Sequence, residues 1–477
     1  MSAALATLSL GTLRGSIERG VLAFRGIPYA APPVAALRFE APAPPAPWGD
    51  ERDATRFGSV APQRPDPLVR QLGLYPEGAQ AEDCLTLNVW TPATSSRRPV
   101  LVWLHGGAFI GGTANVPLYD GARLAGEGDV VVVTVNYRVG ALGFLALGPD
   151  RTNVGLKDQV AALRFVRREI AAFGGDPANV TVFGESAGAG SLCALLAMPS
   201  ARGLFRRGIV QSAAPEGVLT AEEGAERAAK LLAKLGLDAG ARDALRAVPV
   251  AALLDAQDAM NAEGPHAKGM LFMPVVDGAV LPRTPLEAVR AGLAHDVELL
   301  VGTTQDEMRL YVLTGLGDRV TDALLPLIVA AQLAGAADPA AEARLRVERA
   351  KRELAARGAP VEPADVFFEV QTDLSLRGPS EALAAAHARH GRRTFVYRFG
   401  WRSPLASGAV GACHTVDLPF VFGTLDAPGM AELAGSGPEA EALSANVRAA
   451  WVAFARTGNP SHPGIGEWPP APTVFAL

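Results

Sequence analysis

Residues 184–188 read Gly184-Glu185-Ser186-Ala187-Gly188, with Asn179-Val180-Thr181-Val182-Phe183 before them and a stretch of helical composition, 187–198, behind. A serine on a tight strand-to-helix turn projects its hydroxyl out of the chain, and flanking glycines let another backbone pass close by. The N–H of the residue after the serine then lies at a helix N-terminus, where it can face a developing oxyanion. Taken alone the pattern is weak. With 51 glycines in 477 residues, about 0.2 matches arise by chance. The strand before it and the helix after it make Ser186 a candidate nucleophile rather than a structural turn.

Upstream, the apolar run 100–104 leads into His105-Gly106-Gly107-Ala108-Phe109. Small residues at a strand end let backbone N–H groups point at a substrate oxygen, although a glycine-rich loop can also serve only to reverse the chain. Its place ahead of the serine turn, in the order this layout requires, favours the first role. An acid and then a histidine should follow the serine.

Six of the seven histidines lie beyond Ser186. His387 and His390 end the Ala-rich run 381–390, where a partly exposed histidine is the ordinary structural outcome. His462 falls in the Pro-flanked turn 459–464, and His266 and His295 come before the last plausible acid. His414 ends the small-residue loop Gly408-Ala409-Val410-Gly411-Ala412-Cys413, beyond a late apolar run at 394–399. It is the candidate base. For the acid, the run 297–301 passes into Gly302-Thr303-Thr304-Gln305-Asp306-Glu307, and a carboxylate just past a strand end can orient an imidazole. Spacing does not choose between Asp306 and Glu307, and either would also suit a helix N-terminus.

Further strand-length runs occur at 86–90, 130–136, 180–183 and 208–211, and 11–17 with 21–24 reads as a hairpin ahead of a Pro-rich meander, 28–47. The segment 158–173 puts Val160, Leu163, Phe165, Val166 and Ile170 near one helical face, and Gly174-Gly175 ends it. Alternating strands and helices predict an α/β fold with a mostly parallel sheet covered on both faces. Ala-, Leu-, Arg- and Glu-rich stretches at about 220–262 and 318–392 read as helical insertions on the rim of a single catalytic domain spanning 1–477.

The net charge of −5 with 19% charged residues offers no basic surplus for nucleic acid or an anionic membrane. No apolar run reaches membrane-spanning length, and residues 1–10 lack the basic start of a signal peptide. Three cysteines, Cys84, Cys193 and Cys413, form neither a disulfide framework nor a metal-ligand spacing, so a reducing, cytoplasmic setting is expected.

The chain resembles the type-B carboxylesterase family, which includes para-nitrobenzyl esterases, liver-type carboxylesterases and cholinesterases. The resemblance runs through Phe24-Arg25-Gly26-Ile27-Pro28-Tyr29-Ala30, Glu82-Asp83-Cys84-Leu85-Thr86-Leu87-Asn88-Val89-Trp90, Phe173-Gly174-Gly175-Asp176-Pro177, the serine turn and 411–423. It implies an α/β-hydrolase fold and hydrolysis of small carboxylic esters through an acyl-enzyme, with no metal or organic cofactor. It also implies Ser186, Glu307 and His414 as the triad, Gly107, Ala108 and Ala187 as oxyanion donors, and Gly106 as the neighbour that shapes the loop. Activity should then rise with pH through a group near the ordinary histidine value of about 6.5.

Three positions depart from the family pattern. Ala61 stands before Pro62-Gln63 where a cysteine normally pairs with the one matching Cys84, so Cys84 should be a free thiol. Asp417 stands where a glutamate is common. Between Trp48 and Trp90 there is no tryptophan to stack on choline, which favours neutral esters, with Tyr75 as a partial substitute. The same triad would also suit an amide, carbamate or lactone hydrolase. A non-catalytic binding protein on this scaffold would typically have lost a triad position, and all three are filled here.

Overall fold

The computed structural model describes residues 4–72, 76–238, 240–264 and 270–477; Tyr75 and His266 lie outside them. The chain opens with strands β1 (Ala4–Leu8), β2 (Gly11–Glu18), β3 (Val21–Pro28) and β4 (Arg52–Asp53). The central strands are β5 (Thr86–Thr91), β6 (Arg98–Leu104), β7 (Val131–Val135), β8 (Gly175–Glu185) and β9 (Arg207–Gln211). After the short strands β10 (Leu219–Thr220) and β11 (Val275–Val276) come β12 (Glu298–Thr304), β13 (Thr394–Phe399) and β14 (Val474–Ala476). Among the described residues, one sheet runs β1-β2-β3-β5-β7-β6-β8-β9-β12-β13-β14, with β4 beside β2, while β10 and β11 pair apart. Neighbours are antiparallel from β1 to β7 and parallel from β7 to β14.

The parallel strands are apolar on both sides because both sides are buried. Val100, Val102, Leu104, Val131, Val133, Val180 and Val182 face one core, which also takes the helices Val154–Glu169 and Ala187–Ala197. Leu101, Trp103, Val132, Phe183, Leu300 and Tyr397 face a second core, formed with the helices Ala122–Gly128, Leu418–Phe422 and Pro438–Thr457. The expected α/β-hydrolase arrangement, a mostly parallel sheet with helices on both faces, is therefore present.

Both stretches read as insertions are helical. Thr220 opens Ala221–Lys234 with a capping box to Glu223, and Val250–Asn261 follows. The later stretch holds Leu325–Gln332, Pro339–Ala356, Pro363–Thr372 and Gly378–Ala388. The first three of these share a core of their own, in which Ala343, Val347, Ala350 and Leu354 recur at helical spacing. A helix not anticipated from the sequence, Pro438–Thr457, buries Ala440, Ser444, Val447, Ala450, Trp451 and Phe454. Small and polar residues interrupt its inner stripe, so its hydrophobic contrast is low. His387, expected to be partly exposed, is buried and bonds Thr394 Oγ1 through Nδ1 at 2.8 Å.

One crossing fixes where the serine turn lies. Strands β6 and β8 pair in parallel with Leu104 opposite Gly184, and the helix after the turn passes directly over the end of β6. A Cβ on Gly188 would fall 2.0 Å from the Leu104 carbonyl oxygen, and one on Gly184 would fall 2.7 Å from the Gly188 backbone. The obstacle at Gly188 is backbone, which has no alternative rotamer. Gly188→Ala should therefore destabilise the protein by about 3 kcal/mol or more, read as a lowered denaturant midpoint or loss of soluble protein. A variant as stable as the parent would show that the crossing is not tight.

Candidate active site

Ser186 bridges β8 and the helix Ala187–Ala197 with φ 56° and ψ −123°, a conformation that costs an L-residue of order 1–3 kcal/mol and persists only when its surroundings impose it. Its N–H donates to the Gln211 carbonyl at 3.0 Å, and its own carbonyl accepts from Gly190 N–H at 2.8 Å. Gly106 faces this turn. A Cβ there would lie 3.2 Å from Ser186 Cβ and 2.9 Å from Glu185 Oε2, so a side chain at this position would crowd the serine.

The loop 105–112 is held by its carbonyls. His105 Nδ1 donates to the Gly106 carbonyl at 2.8 Å, and the Gly107 carbonyl accepts from Ile110 and Gly111 N–H at 3.1 and 3.0 Å. In a trans peptide the C=O of one residue and the N–H of the next point in opposite directions. Pinning these two carbonyls therefore turns the N–H groups of Gly107 and Ala108 the other way, and neither has a protein partner among the described residues. The Ala187 N–H, first in its helix, has no intrahelical acceptor. Ala108, in place of a third glycine, takes the left-handed φ of 52°. Burial holds the His105 imidazole down at about 4, so it stays neutral; the ring stacks on Tyr137 with centroids 4.2 Å apart. Gln63 braces the far end of the loop, accepting from Gly112 N–H at 2.7 Å and donating to the Gly112 carbonyl at 2.9 Å.

Glu307, just past β12, is fully buried. One carboxylate oxygen accepts from His414 Nδ1 at 2.6 Å; the other accepts from the Ser212 hydroxyl at 2.5 Å and Thr304 N–H at 2.8 Å. Burial pushes this carboxyl up, but the bonds to His414, Ser212 and Thr304 outweigh it and hold Glu307 below the usual range. Asp306 points elsewhere, accepting from Ala412 N–H at 2.9 Å and from Arg357 at 3.1 Å. Geometry thus separates two carboxylates that spacing left equivalent.

The other imidazole nitrogen, Nε2 of His414, lies 3.0 Å from Glu185 Oε1. Burial lowers this imidazole's pKa, yet the carboxylates of Glu185 and Glu307 on its two sides raise it well above the ordinary value. Asp417, three residues further on, is pushed up to about 7 by burial and by Glu185; it accepts from Gln211 Nε2 at 2.8 Å. Ser186, His414, Glu307 and the loop 106–108 thus gather where β6, β8 and β12 end. Sequence reasoning did not single out Glu185, Ser212 or Gln63, although Glu185 lies inside the serine motif and Ser212 is the first residue after β9. The three cysteines are buried and unpaired.

Residues 2–474 match the model of the "Carboxylesterase family". The chain is 41% identical to the para-nitrobenzyl esterase of Bacillus subtilis (strain 168), over 98% of this chain and 93% of that one. It is 34% identical to the liver carboxylesterase of Sus scrofa, over 95% and 84% of the two chains. A solved structure of a PNB esterase superposes with a TM-score of 0.85 at 39% identity, covering 98% of this chain and 93% of that one.

A raised imidazole pKa corrects the expectation of a midpoint near about 6.5. Any step that needs neutral His414 gains rate as pH rises through the raised value, so the acid limb belongs on the alkaline side of that figure. Organophosphate inactivation measured across pH should show this limb, and Glu185→Gln should move it to lower pH by removing a neighbouring charge. A parent midpoint at or below about 6.5, or superposable profiles for the two proteins, would contradict the reading.

Proposed function

The chain belongs to the carboxylesterase family and hydrolyses carboxylic esters, and we propose that it does so with Ser186 as nucleophile, His414 as general base and Glu307 as the carboxylate that orients it. The observation that carries this assignment is the buried Glu307–His414 bond of 2.6 Å. It fixes the tautomer with hydrogen on Nδ1 and leaves Nε2 free to take a proton. In the resting arrangement Nε2 faces Glu185. Rotation about the Glu307 contact brings it to the serine hydroxyl when substrate is bound, as such bonds commonly tighten only in the complex.

Ser186 Oγ attacks the ester carbonyl as His414 takes its proton. The oxyanion is met by the N–H groups of Gly107, Ala108 and Ala187, while Gly106 keeps the space clear. The imidazolium returns its proton to the leaving alcohol, and water, deprotonated by the same imidazole, then attacks the acyl-enzyme to release the acid and free Ser186. The substrate is a small-molecule ester, and the three N–H groups stabilise the oxyanion without a metal or organic cofactor. An amide, carbamate or lactone would be opened by the same groups and would differ in the protonation its leaving group demands.

A single catalytic domain is supported by the sheet itself, since β1 and β14, from opposite ends of the chain, belong to it. Unpaired Cys84, Cys193 and Cys413 support a reducing, cytoplasmic setting. Among the described residues no helix is long and apolar enough to cross a membrane.

Mass spectrometry after organophosphate treatment should find the adduct on Ser186, and Ser186→Ala should abolish both labelling and ester hydrolysis. Glu307→Gln should lower kcat by about 10³–10⁴-fold, because an amide can favour the wrong tautomer, whereas Asp306→Asn should be much milder. A label on another residue, or an Asp306 change more damaging than the Glu307 change, would overturn the assignment.

A further inference from the structure

The helices after β12 are tied to the acid and histidine loops by hydrogen bonds. Asp306 N–H donates to the Ala412 carbonyl at 2.9 Å, and Ala412 N–H returns a bond of 2.9 Å to Asp306 Oδ2. His414 N–H donates to the Glu307 carbonyl at 3.1 Å. The acid loop and the histidine loop are therefore laced together at two residue pairs, Asp306 with Ala412 and Glu307 with His414, with the Asp306 side chain as one of the laces. Its approach is close enough that a Cβ on Gly411 would sit 2.5 Å from Asp306 Oδ2.

The other Asp306 oxygen, Oδ1, accepts from Arg357 Nη1 at 3.1 Å. Arg357 caps the helix Pro339–Ala356, and its Nη2 reaches Glu369 at 2.6 Å on the next helix. Glu369, itself buried, also accepts from Arg377 at 2.6 Å. Arg377 closes a π-turn, Asp373–Arg377, between two α-helical segments, and its Nη2 donates to the Gln305 carbonyl at 2.8 Å. Widened turns of this kind recur at functional sites. Arg309 adds a bond of 2.9 Å to the Ala409 carbonyl in the histidine loop. Two guanidinium groups sharing Glu369 thus hold consecutive residues of the acid loop, Gln305 through its carbonyl and Asp306 through its carboxylate.

We propose that Arg357 and Asp306 are positioning residues, through which the helical excursion 339–377 clamps the acid loop to the histidine loop and so sets the Glu307–His414 bond. The inference rests on the reading of Glu307 and His414 as acid and base. Neither Arg357 nor Asp306 touches the reacting atoms. Without the Arg357 charge, Asp306 is a buried carboxylate held by one backbone N–H and a distant Arg402 at 3.7 Å. The lacing then loosens and Glu307 meets the imidazole less well.

The test is Arg357→Met, at a partly exposed side chain, with Arg357→Lys, Asp306→Asn, the double variant and Glu307→Gln alongside. Arg357→Met should lower kcat about three- to tenfold with KM unchanged. It should also move the acid limb of organophosphate inactivation toward lower pH, because a weakened Glu307 contact no longer raises the imidazole pKa. Arg357→Lys should recover part of both effects. In the Asp306→Asn background, Arg357→Met should cost less than it does alone, since its effect on the acid loop runs through Asp306. Parent-like kcat and an unmoved limb in Arg357→Met, or additive losses in the double variant, overturn the clamp while leaving the triad standing. Full activity in Glu307→Gln overturns the triad and the clamp together. If Arg357→Met does not fold, the limb in Asp306→Asn decides: a shift to lower pH supports the clamp, and an unmoved limb overturns it.

Discussion

The contact on which this site depends is between two backbones: the Leu104 carbonyl at the end of β6 and Gly188 in the first turn of the helix beyond Ser186. Even a methyl group between them would fall 2.0 Å from oxygen. The two segments therefore have one admissible relation. Because the loop 105–112 starts where β6 stops, and the serine turn lies between β8 and that helix, the crossing sets the proposed oxyanion donors against the proposed nucleophile before any side chain is considered. The strained dihedrals of Ser186 are a consequence, held by the parallel pairing of β6 with β8 and by the helix that follows.

Electrostatics add a second constraint. Glu185, Glu307 and Asp417 are buried around a single imidazole. An unpaired buried carboxylate costs several kcal/mol, and Glu307 and Asp417 meet that cost differently. Glu307 takes hydrogen bonds from three donors and stays ionised, below its usual range. Asp417, with Oδ1 lacking a partner among the described residues, is pushed up to about 7. The imidazole between Glu185 and Glu307 is driven upward. The ordinary histidine value was therefore the wrong reference for His414. Its two carboxylate neighbours come from segments more than a hundred residues away in the chain, so their summed effect exists only in the fold.

The parts legible in the sequence are those whose physics is local. A glycine-flanked serine between a strand and a helix, a glycine-rich strand end, and a small-residue loop holding His414 each carry their signal within ten residues. Hydrophobic runs located the central strands to within a few positions because those strands are buried on both faces. The helix Pro438–Thr457 was missed because alanine and serine carry part of its inner stripe, which blunts the contrast that periodicity needs. His387 was misjudged for a related reason: Thr394 and Ala294, which give its ring hydrogen-bond partners and let it be buried, are distant or lie on another element. Asp306 and Glu307 were separated only by family resemblance, since which of two adjacent carboxylates turns inward is decided by Arg357, Ser212 and Ala412. Gln63 and Ser212 carry no motif of their own and show their use only when the loops they brace are seen.

The central claim is that the oxyanion donors and the nucleophile are already in place and that the imidazole alone must turn. A crystal structure of the protein with a trifluoromethyl ketone bound covalently to Ser186 tests it most directly. The hemiketal oxygen should lie about 2.7–3.1 Å from the nitrogens of Gly107, Ala108 and Ala187. His414 Nε2 should have left Glu185 for Ser186 Oγ while Nδ1 keeps its bond to Glu307. A hemiketal oxygen outside the reach of those three N–H groups, or an imidazole still directed at Glu185, would contradict the account.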